Sequence, residues 1–358
     1  MATVNFSLFT LHFYLFLSTF APMNTKKRRM MAEWEPQSCV QLTWPHADTD
    51  WAPILPEITA VYEEMAREIS KREALLVVAP EGLQLPTLPT LHSTLFTSND
   101  TWARDHGFIT VEEASGLVLL DFCFNGWGEK FEASLDNQIN KHLYEQGILR
   151  GTYEDHLDFV LEGGSIESDG KGTIFTTECC LMAPHRNQPL TKQQIEERLK
   201  EYLGAERIAW LQHGSLIGDD TDGHIDTLVR ICPDDTLLYI GADAEHPDLA
   251  EMEQELQSLR TLEGKAYRLL KLPLPRPIYE KVQSSKFNVQ SYRLPATYAN
   301  YLVINGAVLV PTYAQPDLDA EALRIIGEAF PDREIVGIDC CAVIKQHGSL
   351  HCCTMQYY

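Results

Sequence analysis

The chain is short of positive charge. Lysine and arginine number 29 against 51 aspartates and glutamates, a formal net charge of −22. A surface of that sign repels nucleic acid and anionic membranes and gathers small cations, so neither a nucleic-acid nor a membrane partner is expected. Cys-x-x-Cys spacing is also missing, although nine cysteines are present and six form the adjacent pairs Cys179-Cys180, Cys340-Cys341 and Cys352-Cys353. That excludes zinc-ribbon and thioredoxin-like patterns. An odd count without a spaced framework fits reduced thiols and a cytoplasmic location. No low-complexity linker divides residues 33–358. At 358 residues, 44% apolar and 22% charged, the composition is that of a globular protein with a sizeable core.

Residues 4–23 carry no acidic or basic side chain, and Lys26-Lys27-Arg28-Arg29 follow them. A secretory signal has its positive charge ahead of the apolar stretch. Asn5, Ser7, Thr10, His12, Ser18 and Thr19 weaken a membrane span. Residues 1–30 are therefore read as an extension outside the domain, with translation expected to start at Met23, Met30 or Met31. A membrane anchor is the lesser reading. Residues 33–358 are expected to form one catalytic domain.

Within that domain one pattern recurs. Ile58, Val61, Tyr62, Met65 and Ile69 share a helical face over 56–72, and the apolar run Ala74 to Ala79 follows. Helices at 133–147, after Thr191, at 248–260 and at 318–329 precede strands at Phe159 to Leu161, Ile208 to Leu211, Tyr267 to Leu272 and Glu334 to Ile338. Hairpins lie between these units. Phe108 to Val111 faces Leu117 to Leu120, Ser165-Ile166 faces Ile174-Phe175, and Thr227 to Ile231 faces Leu237 to Ile240. Tyr301 to Ile304 faces Val308 to Val310 across Asn305-Gly306, a strong hairpin signal. A fifth hairpin needs Val40 to Thr43 to pair with the other end of the chain. Five units of about sixty residues imply a pseudo-symmetric α/β ring, with an open α/β sheet as the plainer alternative.

A polar residue stands at the mouth of each hairpin: Asp105, Glu162, the pair His224 and Asp226, Asn300, and Cys352. Singly each has an ordinary explanation, such as a surface ion pair or an inert thiol. Together they are tools for a bound cation. Carboxylates grip a guanidinium through paired hydrogen bonds, a thiolate attacks its central carbon, and a histidine moves protons near neutral pH.

Five segments then resemble successive motifs of the agmatine deiminase family: Thr101-Trp102-Ala103-Arg104-Asp105, Glu162-Gly163-Gly164-Ser165, Asp222-Gly223-His224-Ile225-Asp226, Tyr298-Ala299-Asn300-Tyr301 and His347 to Gln356. That family is similar to bacterial peptidyl-arginine deiminases. The resemblance implies a five-bladed α/β propeller and deimination of agmatine to N-carbamoylputrescine and ammonia. It implies Cys352 as nucleophile, His224 as proton carrier, Asp105 and Asp226 as a clamp, and Trp102, Glu162 and Asn300 as substrate contacts. No cofactor or metal is called for, and the partner is a small cationic guanidinium compound. A homo-oligomer is compatible with the sequence. His347-Gly348-Ser349-Leu350 departs from the commoner Gly-Gly-Gly-Asn-Ile approach, and Phe108 replaces a frequent proline.

Other substrates and chemistries were weighed. Free arginine would need a cation for its carboxylate, for which Arg104 or Arg230 are candidates, and peptidyl-arginine is a further alternative. A zinc site from His347, His351, Cys352 and Cys353 is a remote reading. So is a non-catalytic scaffold, since every polar role is filled.

Overall fold

The computed structural model describes residues 27–285 and 288–358. The expected hairpins form close to the predicted places. Ile109–Glu113 pairs with Gly116–Cys123, Ile166–Ser168 with Thr173–Thr177, Val229–Cys232 with Thr236–Ile240, and Leu302–Ile304 with Ala307–Thr312. In the last, Ile304 faces Ala307, and Gly306 takes the positive φ of 77° that the two-residue turn demands. The fifth hairpin joins the ends of the described chain: Thr354–Tyr357 runs antiparallel to Cys39–Thr43, with Thr354 opposite Leu42. Each hairpin gains a parallel third strand, respectively Thr152–Val160, Arg207–Leu211, Arg268–Leu272, Glu334–Asp339 and Ala74–Ala79. The result is a mixed α/β fold of five separate sheets with the same strand logic. Among the described residues no single sheet closes on itself, so a closed ring of hydrogen-bonded strands is not how the units combine.

Right-handed crossover into a parallel strand needs a long connection, and helices supply it. Leu55–Ser70 buries Ile58, Val61, Tyr62, Met65 and Ile69, the stripe read from the sequence. Lys192–Leu203 opens on a complete capping box, Thr191 and Gln194 each bonding the other's backbone, and ends at Gly204 with φ 69°. Asp248–Ser258 and Pro316–Ala329 form as expected, whereas 133–147 shortens to Ile139–Glu145 after a 3-10 turn.

Several elements escape the sequence pattern. The strand expected only at Phe159 to Leu161 begins at Thr152, because its first half is an edge strand with polar, part-exposed side chains. Leu91–Leu95 adds an unpredicted fourth strand beside Ala74–Ala79. Tyr279–Ser285 and Asn288–Arg293 form a separate ribbon.

The domain boundary also moves. The extension expected over 1–30 falls mostly outside the described residues, but Arg29–Met30 pairs with Val111 and Glu112. Arg28 binds Glu113 and Glu154, both at 2.6 Å, and Arg29 binds Glu35 and Glu112. Arg28 and Arg29 are thus held on the domain by four glutamates. Among the described residues no helix is long and apolar enough to cross a membrane.

Candidate active site

Each predicted site residue sits in the short turn just before the first strand of one hairpin. Asp105 lies in Ala103–His106, Glu162 precedes Gly163–Ser165, Asp226 lies in Ile225–Thr227, Asn300 precedes Leu302, and Cys352 lies in His351–Cys353. The turn Ala103–His106 touches both Gly163–Ser165 and His351–Cys353, and Gly163–Ser165 touches Ile225–Thr227. Residues spread over 250 positions of chain therefore meet at one point. Gly164 marks it: a Cβ there would lie 2.6 Å from His224 Nδ1, 2.9 Å from Asp105 Oδ1 and 3.1 Å from Asp226 Oδ2. Only a glycine leaves room for that convergence.

Cys352 is buried but lines an open cavity of about 210 Å³ together with Trp102, Asp105, Trp127, Asp50, Asp100, Asp220, His347 and Gly348. Its sulfur is 3.4 Å from Asn300 Oδ1 and 3.8 Å from Asp226 Oδ2. Both are acceptors, so they favour the thiol over the thiolate. Burial, then the Asp226 and Asp105 charges, hold the Cys352 pKa well above its usual value. Cys353 points the other way, its thiol toward Ser349 O at 3.4 Å. The opposed directions come from the 3-10 turn over His351–Cys353, whose successive side chains diverge around the axis.

Asp105 accepts from Trp127 Nε1 and from the Gly164 amide, each at 3.0 Å. Burial, with Asp226 and Glu162 close by, raises its pKa well above the carboxylate range. Asp226 behaves oppositely. Burial pushes its pKa up, but the His351 hydrogen bond, at 2.8 Å, and neighbouring positive charge outweigh that and lower it. One oxygen, Oδ1, has no hydrogen-bond partner. His224 is fully buried, neither ring nitrogen has a hydrogen-bond partner, and burial drives its pKa down to about 3. It is a neutral imidazole with both nitrogens free to take up work.

Two substrate contacts read from the sequence are placed differently. Asn300 sits beneath the nucleophile, its Oδ1 accepting from the His351 amide at 2.9 Å and the Cys352 amide at 3.3 Å. It fixes the cysteine turn and, like His224, Asp226 and Glu162, lies behind the residues that line the cavity. Glu162 is fully buried with Arg186 Nε 2.8 Å away, although that N–H is not aligned for a hydrogen bond. Its pKa is raised by burial against the lowering pull of Arg186. Trp102 stands in the cavity wall, and Gly348 lies against it: a Cβ there would be 2.2 Å from the ring.

Arg186 and Trp127 were not legible as site residues. Trp127 stands between Gly126 and Gly128 at a φ of 57°, and that glycine-flanked tryptophan was the available signal. Glu33, singled out only as the domain start, reaches His351 Nε2 at 2.7 Å. The imagined zinc set does not assemble: His347 faces Gly218 O, His351 is held by Asp226 and Glu33, and Cys353 is turned away. Among the described residues two other trios come close enough to share an ion, Glu162–Cys180–His224 and Glu33–Glu167–His351. In each an arginine already stands against a carboxylate, Arg186 and Arg230 respectively.

Arg104 and Arg230 are also placed. Arg104 binds Glu33 and Gln356, Arg230 binds Glu33 and Glu167, and neither lines the cavity. The wall holds four aspartates and no lysine or arginine. A small cavity walled by aspartates and a cysteine, with a buried imidazole packed behind it, suits a hydrolase that modifies guanidine groups. The comparisons agree. The chain belongs to the Porphyromonas-type peptidyl-arginine deiminase family, whose profile matches residues 29–357. Agmatine deiminase from Stutzerimonas stutzeri is 33% identical over 349 residues, covering 91% of this chain and 94% of the relative. A Porphyromonas gingivalis structure, solved as a candidate arginine deiminase, is 48% identical with a TM-score of 0.85 over 92% of this chain and 98% of its own. The agmatine deiminase of C. jejuni, solved with substrate bound, is 35% identical with a TM-score of 0.83 over 92% and 96%.

Proposed function

We propose that the protein hydrolyses agmatine to N-carbamoylputrescine and ammonia through a covalent intermediate on Cys352. The observation that carries this is the cavity wall: Asp50, Asp100, Asp105 and Asp220 line it and no lysine or arginine does. Agmatine is a dication with a guanidinium at one end and an ammonium at the other. Free arginine would bring a carboxylate into the same acidic wall, with Arg104 and Arg230 both turned elsewhere. A volume of about 210 Å³ is small beside the roughly 300–1,000 Å³ of sites for larger ligands, which favours a short amine over a peptide. Asp105 and Asp226 grip the guanidinium and Trp102 packs on its plane. His224, neutral beforehand, takes the Cys352 proton as sulfur attacks the central carbon, then gives it to the departing nitrogen. Ammonia leaves and an amidino-thioether remains. His224 next draws a proton from water, the hydroxyl adds to the carbon, and the C–S bond breaks to release the urea product and the sulfur. The repeated sheets and the joining of Thr354–Tyr357 to Cys39–Thr43 support five blades of an α/β propeller around this site.

The test is ammonia release from agmatine, free arginine and a blocked arginine peptide at equal concentration. Agmatine is expected to lead by about two orders of magnitude in kcat/KM, the scale of one misplaced or unpaired charge. Preference for the peptide would overturn the substrate, and no ammonia from any of them would overturn the reaction.

A further inference from the structure

His351 stands beside the nucleophile in sequence, yet its side chain points away from the cavity into a buried charge cluster. Its ring bridges two carboxylates. Nδ1 is 2.8 Å from Asp226 Oδ2 and Nε2 is 2.7 Å from Glu33 Oε1. Arg230 closes on the same Glu33 at 2.5 Å and comes within 3.1 Å of His351 Nε2. Arg230 is fixed in turn by Glu167 and by the carbonyls of Ala299 and Tyr301, and Arg104 approaches Glu33 at 3.2 Å. The charged groups facing the ring are therefore Asp226, Glu33, Arg230 and Arg104, with Glu167 behind them.

A carboxylate oxygen only accepts, so Nδ1 must carry a proton and donate to Asp226. The same rule makes Nε2 a donor to Glu33 Oε1 at 2.7 Å, so both ring nitrogens give to carboxylates. Oδ2 of Asp226 thereby takes the His351 bond and also faces the Cys352 sulfur at 3.8 Å, while Oδ1 is buried without a partner. We propose that His351, braced from behind by Glu33, is a positioning residue that fixes the Asp226 carboxylate through Oδ2, the oxygen that also faces the Cys352 sulfur, and keeps that carboxylate charged for the substrate cation. A residue at the start of the domain thus sets the geometry of a carboxylate on the third hairpin. Through Asn300, which binds the amides of both His351 and Cys352, the nucleophile shares the same frame.

The proposal rests on the guanidinium reading for what the Asp226 carboxylate meets, and its test separates the two. In Cys352→Ala protein, agmatine binding is measured by calorimetry from about pH 5 to pH 8, alone and with His351→Gln, His351→Asn or Glu33→Gln. Without the Nδ1–H bond the Asp226 pKa rises, so in His351→Gln binding should weaken about tenfold for each pH unit below the new value and recover above it. An Asn amide stands near the Nδ1 position, and His351→Asn should restore much of the low-pH binding. Glu33→Gln, which keeps the ring, should shift the profile the same way by less. The empty proteins carry the second readout: the Asp226 carboxyl titration by carbon-13 NMR, assigned with Asp226→Asn. Its midpoint should rise in His351→Gln and stay low in His351→Asn. Absence of binding in Cys352→Ala alone, with those midpoints as expected, would sink agmatine and leave the positioning role standing. An unmoved midpoint in His351→Gln, or one that moves equally in both histidine variants, would overturn the positioning role whatever binds.

Discussion

Cys352 is surrounded by groups that oppose its ionisation. Burial raises its pKa, Asp226 and then Asp105 push it further up, and His224, whose own pKa burial drives down to about 3, offers no compensating charge. The sign follows directly: the thiol stays protonated until pH climbs past a value well above 9. A bound guanidinium cancels the carboxylate field, and each unit of downward shift corresponds to about 1.4 kcal/mol of coupling between cation and thiolate. Iodoacetamide should therefore label the empty enzyme slowly at about pH 7, where a free thiol of pKa ~8.5 is already a few per cent ionised. A small guanidinium compound that leaves sulfur accessible should move the midpoint of the labelling rate downward, with Cys352→Ala identifying the site. A midpoint below 7 without ligand would mean that His224 sets the thiolate by itself. Cys353→Ala, by contrast, should keep at least roughly a tenth of the activity. It removes a core sulfur at a cost of about 1–2 kcal/mol and touches nothing in the cavity.

At the scale of elements, the short turns ahead of each hairpin carry the chemistry and the helices carry the stability. The segment Lys27–Met30 belongs with the second group. Arg28 lies over Gly204, where any Cβ would sit 2.1 Å from the Arg28 carbonyl, and its guanidinium reaches the strands bearing Glu113 and Glu154. Removing residues 1–26 takes away none of these contacts, and activity and melting temperature should be unchanged. Removing residues 1–30 deletes the strand pair and four part-buried ion pairs, at a cost on the order of 2 kcal/mol. Melting should then fall by a few degrees, while kcat at about 25 °C stays within roughly twofold, since no cavity residue moves. Equal melting points for the two truncations would show that the cationic run is not part of the domain.

For the whole molecule the dominant feature is charge. A net −22 with aspartates lining the cavity makes a field that draws a dication inward. The Debye length shrinks from about 10 Å at 0.1 M salt to about 3 Å at 1 M. The kcat/KM for agmatine should fall several-fold over that range, chiefly through KM. Labelling of Cys352 by uncharged iodoacetamide serves as the control and should hardly change. A flat salt profile for agmatine would mean that only contact interactions, and not the surface field, deliver the substrate.

The sequence by itself determined what local rules can carry. The Ile58-to-Ile69 stripe, the Thr191 capping box and the Asn305-Gly306 turn each follow from spacing within a few residues, and the repetition of hairpin, helix and strand follows from them. The positions of the candidate residues were legible for the same reason: Asp105, His224, Asp226 and Cys352 each stand just before a hairpin that the pattern reveals. Only the tertiary structure decided which side chains share a point in space and who neutralises whom. That Arg186 faces Glu162, that Asn300 supports the cysteine turn, that Arg28 and Arg29 dock on the domain, and that Glu33 grips His351 are all long-range pairings. A charge is attracted to whichever opposite charge the folded backbone brings near. With 51 acidic residues in the chain, nothing local in the sequence says which one that is.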